Sequence, residues 1–219
     1  MSAKPRDREA LPISLSASLR SQLQQARIFT DLELDKGQRR IGVCACNAGA
    51  GATSVALNLA AMIAERTGTP IALVEANLRS PALAGCFDLK AEPGFSAFAS
   101  GLAGSAACRE LPGMHVYAML AEASDNPLPI LKDAAARLSE LSSAFQHMVL
   151  DLPPVLDYPD AGIMAAGMDG ILLVLKAEET RWEVAREARN RLESAGIPLL
   201  GAVLNKKPHY VPDWLYRLL

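Results

Sequence analysis

Apolar residues along this chain fall into short, unbroken runs: IGVCAC (41–46), IALVE (71–75), HVYAML (115–120), HMVLDL (147–152), GILLVLK (170–176) and PLLGAVLN (198–205). Runs that are continuous rather than alternating are expected of parallel strands covered on both faces. Helix-forming stretches separate them at Ser54–Arg66, Leu128–Phe145 and Thr180–Ala195. Strand alternating with helix predicts an α/β fold with a doubly wound, mainly parallel sheet, helices on both faces and right-handed crossovers. Upstream, Ile13 to Leu34 place Leu15, Leu19, Leu23 and Ile28 roughly on one helical face. The pattern divides the chain into a disordered lead-in (1–12), one domain (13–206) and a tail or helix (207–219). In the tail, Val211, Trp214, Leu215, Leu218 and Leu219 keep helical spacing. That stripe fits a final helix on its own core or a docking helix for a membrane partner, since Trp and Tyr favour interfaces.

Composition narrows the classes. Half of the 219 residues are apolar and 21% are charged, an ordinary globular balance for one domain. A net charge of −2 and 5% aromatics give no case for nucleic acid as a partner. Cys44 and Cys46 alternate on a strand, while Cys86 and Cys108 stand alone; they read as buried free thiols, without zinc spacing. No apolar run approaches the ~20 residues of a membrane helix, and MSAKPRDREALP lacks a signal peptide's apolar core. The expectation is a cytoplasmic protein, brought to any membrane by a partner.

The chemistry concentrates after the first strand, in NAGAGATS (47–54). A small-residue loop between a strand and a helix lets backbone N–H groups cradle phosphate. Gly49 and Gly51 permit the tight backbone, and Thr53, followed by Ser54, stands where a hydroxyl would reach Mg²⁺. A working loop of this kind places a lysine after its last glycine, to neutralise the β- and γ-phosphates. Here that residue is Ala52. Losing charge-assisted bonds of roughly 1.5–3 kcal/mol each weakens nucleotide binding by about 10²-fold or more. It harms phosphoryl transfer further, because that reaction depends on stabilising developing charge. Backbone amides need no lysine, so weak binding of ATP or ADP with Mg²⁺ is the cofactor expectation.

The loop aligns without gaps with the deviant K-G-G-x-G-K-[ST] loop of the MinD/ParA-like ATPases, with Asn47 and Ala52 in place of the two lysines. IALVEANLRSP (71–81) resembles the D-x-D-L-R-x-P segment of bacterial tyrosine kinases and related polysaccharide-export ATPases. Glu75 and Asn77 stand at its two aspartates, and Arg79 and Pro81 match. HMVLDLPP resembles the family's D-x-P-P segment, which implies that Asp151 supports Mg²⁺. MDGILLVLKAEET (168–180) and PGFSAFASG (93–101) also resemble family segments. AGIPLLGAVLNK (195–206) resembles the segment whose asparagine contacts adenine, a role that falls on Asn205. The likeness spans residues 13–206. It implies a P-loop NTPase fold and an accessory protein of exopolysaccharide synthesis, acting with a transmembrane co-polymerase (the chain-length regulator) and lacking catalysis. The alternative is an active ATPase or tyrosine autokinase that recruits a cation from elsewhere, such as Lys206 or a partner subunit, onto Asp151 and Thr53.

Other patterns are plainer. Gly49-Ala50-Gly51 with Glu75 downstream imitates a dinucleotide (NAD) fingerprint but leaves Asp151-Leu-Pro-Pro unexplained. His115, His147 and His209 share no spacing with a nucleophile, and Asp157 and Asp160 read as caps of a turn and a helix start. Arg186, Arg189 and Arg191 read as a solvated helix face. Only Tyr210 and Tyr216 lie near the C-terminus, where the family's kinases carry tyrosine clusters. The family's E-x-x-R-x-x-R oligomerisation helix falls on Ala17, Arg20 and Leu23, with one match in three, so ring assembly is not expected.

Overall fold

The computed structural model describes Arg20, Leu23, Gly37 and residues 39–207. The expectations for the lead-in, for most of the 13–34 helix and for the tail with Tyr210 and Tyr216 lie outside these residues. Within them, seven strands form one sheet: β1 (Arg39–Ala45), β2 (Ile71–Glu75), β3 (Arg109–Glu110), β4 (Val116–Met119), β5 (His147–Asp151), β6 (Gly170–Lys176) and β7 (Leu199–Asn205). Their order is β3-β4-β2-β5-β1-β6-β7. Every pairing is parallel except β3 with β4. The six apolar runs are the six parallel strands; the antiparallel edge strand β3, two polar residues long, carries no run to announce it.

The helices are α1 (Ala52–Thr67), α2 (Leu83–Cys86), α3 (Phe95–Ala99), α4 (Pro127–Leu141), α5 (Ala161–Ala165) and α6 (Trp182–Ser194). Two cores form, one on each face of the sheet. Ile41, Val43, Leu73, Val149 and Leu172 pack against α1. Cys44, Val74, Leu150 and Leu173 pack against Leu131 and Leu138 of α4, Met164 of α5 and Leu192 of α6. Alternate residues of one strand thus feed opposite cores, which is why the runs show no polar positions.

Helix α1 is buried from Val55 to Ala64 without a break. Its one polar residue there, Asn58, donates from Nδ2 to the Ser54 carbonyl at 2.8 Å. The helix ends at Gly68, whose left-handed φ of 66° lets its N–H reach the Ala64 carbonyl. Leu23 is fully buried in the same core, and Arg20 pairs with Glu65. Both described positions of the expected oligomerisation motif are therefore engaged within the chain. Cys44 and Cys46 are buried and Cys86 and Cys108 half-buried, all free thiols. Burial pushes Cys44 up to about 12.

Gly42 sits in the middle of β1 with no room for a side chain. A Cβ there would lie 2.3 Å from Ile171 Cδ1 and 2.7 Å from Leu152 Cδ1. Gly42→Ala is expected to destabilise the chain by about 1–3 kcal/mol, the usual range for overpacking. Thermal unfolding should register this as a Tm several degrees lower.

Candidate functional site

Strand β1 lies between β5 and β6, with the chain crossing over to opposite sides of it, so a crevice opens beyond its carboxyl end. The 47–54 loop occupies that crevice. Gly49 and Gly51 hold φ values of 85° and 86°, in the left-handed region that glycine enters freely. Gly51 is also the residue before α1, and a Cβ on it would come within 2.5 Å of Asn205 Nδ2. The loop is thus a glycine-turned segment feeding the N-terminus of a 16-residue helix, a geometry that could receive a phosphate.

Around the cradle stand the ends of β2, β5 and β7. Thr53 Oγ1 donates to Asp151 Oδ2 at 2.6 Å. Asp151 is 1% exposed, and its Oδ1 has no hydrogen-bond partner among the described residues. Burial pushes the Asp151 carboxyl up to about 7; the Thr53 bond opposes the shift and the charge of Glu75 adds to it. An orphaned buried carboxylate oxygen beside a hydroxyl is a donor pair that could hold a divalent cation.

Glu75 is the register partner of Asp151 on β2 and is fully buried. It does not turn towards the loop. Its Oε1 accepts from the N–H groups of Ala82 and Leu83, and its Oε2 from that of Ala121 at 2.9 Å. Burial raises its pKa, and those three bonds pull it back. The carboxylate braces the segments after β2 and β4.

The cleft over the loop has a volume of about 250 Å³ and is lined by residues 47–53 together with Asn77, Tyr158 and Lys206. Ser54 is not among its lining residues. A larger groove, about 740 Å³, lies around Pro93, Phe95 and Leu102 and includes no loop residue. Asn205 Nδ2 donates to the Ala50 carbonyl at 2.8 Å, and Lys206 Nζ to the Gly49 carbonyl at 2.8 Å. Arg79 Nε donates to Asp160 Oδ2 at 2.7 Å, and its guanidinium lies 4.7 Å from the Tyr158 ring centroid.

No family model matches the chain. The tyrosine-protein kinase YwqD of Bacillus subtilis (strain 168) is 26% identical to it over 207 residues, covering 91% of this chain and 86% of YwqD. The kinase domain of VpsO superposes with a TM-score of 0.78 at 25% identity, covering 87% of this chain and 95% of that domain. The chain is related to the bacterial tyrosine-protein kinases. The cell division ATPase MinD of Pyrococcus furiosus, at 22% identity and a TM-score of 0.64, covers 75% of this chain and 71% of its own. The fold is that of the MinD/ParA-like P-loop ATPases.

Against this kinase-related background, the structure brings Thr53, Asp151, Asn205 and the glycines of the loop to one place. The dinucleotide reading needs Glu75 to face a ribose, and both of its oxygens are held by backbone N–H groups instead. Asp160 stands at the start of α5 as expected but makes no cap bond; its Oδ2 accepts from Arg79, and its Oδ1 has no partner among the described residues. Asp157 is the larger surprise. It was expected to cap a turn, yet its two oxygens accept from Asn47 Nδ2 and the Ala48 N–H, both at 2.8 Å. Its only signal in the sequence is its place six residues after Asp151, and the partners are 109 and 110 residues upstream.

An unfolded aspartate titrates near pH 4. The folded chain keeps the Asp151 proton up to about pH 7, so stability from this group is full below about pH 4 and is lost as pH rises to about 7. Asp151→Asn removes that titration. Its Tm relative to the parent is expected to be higher at pH 8 than at pH 4, and thermal scans across that range check it. A Tm difference that does not vary with pH would refute the assignment.

Proposed function

We propose that this chain is a kinase-fold accessory protein of exopolysaccharide synthesis that has given up phosphoryl transfer. It works at the inner face of the cell membrane through a transmembrane chain-length regulator. Ala52 carries the reading: at the point where the loop should present a cation to the phosphates, the side chain is a methyl group. Two neighbouring losses support it. Asn47, at the other lysine position, is tied to Asp157. Asn77 lines the cleft where a second carboxylate would stand. What remains is a phosphate-shaped loop with a metal corner at Thr53 and Asp151, fitted for weak binding of ATP or ADP with Mg²⁺. Among the described residues no helix is long and apolar enough to cross a membrane.

One observation favours the second reading, an active ATPase or tyrosine autokinase: Lys206 reaches the loop from β7. The test is incubation with Mg-ATP, followed by ADP release and by phosphotyrosine detection, on the parent and on Asp151→Ala. No signal above Asp151→Ala is expected. Turnover or autophosphorylation that Asp151→Ala abolishes would establish the second reading.

A further inference from the structure

Two consecutive residues at the end of β7 reach back to two consecutive carbonyls of the loop, Asn205 to Ala50 and Lys206 to Gly49. Lys206 does so from a φ of 55°, a left-handed conformation that non-glycine residues rarely adopt. Strain of this kind persists where the surroundings over-determine it and clusters at functional sites. The turn folds an exposed ammonium over the loop, on a single neutral acceptor among the described residues. Lys206 is the only cationic side chain among the described residues lining the cleft. A second observation lies at the metal corner: Asp151 is almost wholly buried, one oxygen on Thr53 and the other unpartnered.

We propose that Lys206 is the phosphate-binding cation of this site, supplied from the end of β7 in place of the side chain Ala52 lacks. Its ligand is the di- or triphosphate of a nucleotide held with a divalent cation. The proposal rests on reading the loop as a phosphate cradle, and it holds whether or not phosphate is transferred. A lysine suits the part because its ammonium is a point charge on a flexible stem, able to leave a carbonyl for a phosphate oxygen without a fixed fork geometry. The arrangement also separates binding from transfer. A cation anchored outside the helix N-terminus can screen bound phosphates without standing where the loop lysine would follow the migrating charge.

The test is calorimetric titration with Mg-ADP and Mg-ATP. Lys206→Ala is expected to weaken binding by roughly 10- to 100-fold, the loss of one charge-assisted bond. Lys206→Gly should lose the same affinity while its Tm stays level or rises, because glycine adopts this φ without strain. Lys207→Ala, which removes an adjacent exposed charge, should bind like the parent. Ala52→Lys added to Lys206→Ala should restore binding. Equal affinities for the parent and Lys206→Ala would overturn the proposal. So would a parent that binds nothing at millimolar nucleotide while Ala52→Lys binds. ATP turnover by the parent would instead defeat the reading that transfer is lost, and the Lys206 variants would still decide this one.

Discussion

Strand β1 has no free edge and no free face. It is hydrogen-bonded to β5 on one side and β6 on the other, and its residues fill the two cores alternately. From Ile41 to Ala45 the strand is wholly buried and carries only apolar and thiol side chains, because a buried polar group without partners is costly. The loop at 47–54 is where that restriction is lifted. Burial of β1 therefore fixes where chemistry can sit, and Gly42 shows how closely the strand is enclosed. Helix α1 adds the second restriction: buried along ten successive residues, it points its N-terminus at one spot.

Most of this was legible in the chain because the parallel strands are written as apolar runs, and the three longer helices occupy the gaps between them. The limits of the elements were less so. Helix α1 begins at Ala52, two residues earlier than its helical spacing indicates, because Gly51 has already made the turn. Helix α4 stops at Leu141 rather than Phe145; Phe145 is buried, but its N–H closes a turn onto the Leu141 carbonyl. Helices α2, α3 and α5 run four or five residues, too short to show a period.

The site divides in the same way. Thr53 and Asp151 follow from local motif and strand end, and they do meet. The partners of Glu75, Asp157 and Asp160 are set by which loops the sheet order brings together, and no local pattern carries that. All three acids were read by position, as a site acid or as caps. The structure assigns each to a neighbour: backbone N–H groups after β2 and β4, the edge of the loop, and Arg79. The carboxylates around the cleft mainly hold its walls, while Asp151 and Asp160 each leave one buried oxygen without a partner among the described residues.

The contact between Asp157 and the loop reaches beyond local geometry. A carboxylate held on the same folded chain acts as a resident anion on that amide. Any phosphate that takes the Ala48 N–H has to displace it, so its apparent affinity is reduced by the fraction of time the loop is free. Linkage makes the effect mutual: whatever draws residues 157–160 aside raises affinity in the cleft, and occupancy of the cleft loosens that segment by the same factor. Tyr158, Asp160 and Arg79 belong to that segment's contacts. A phosphate bound at this loop would compete with the segment for the same amide.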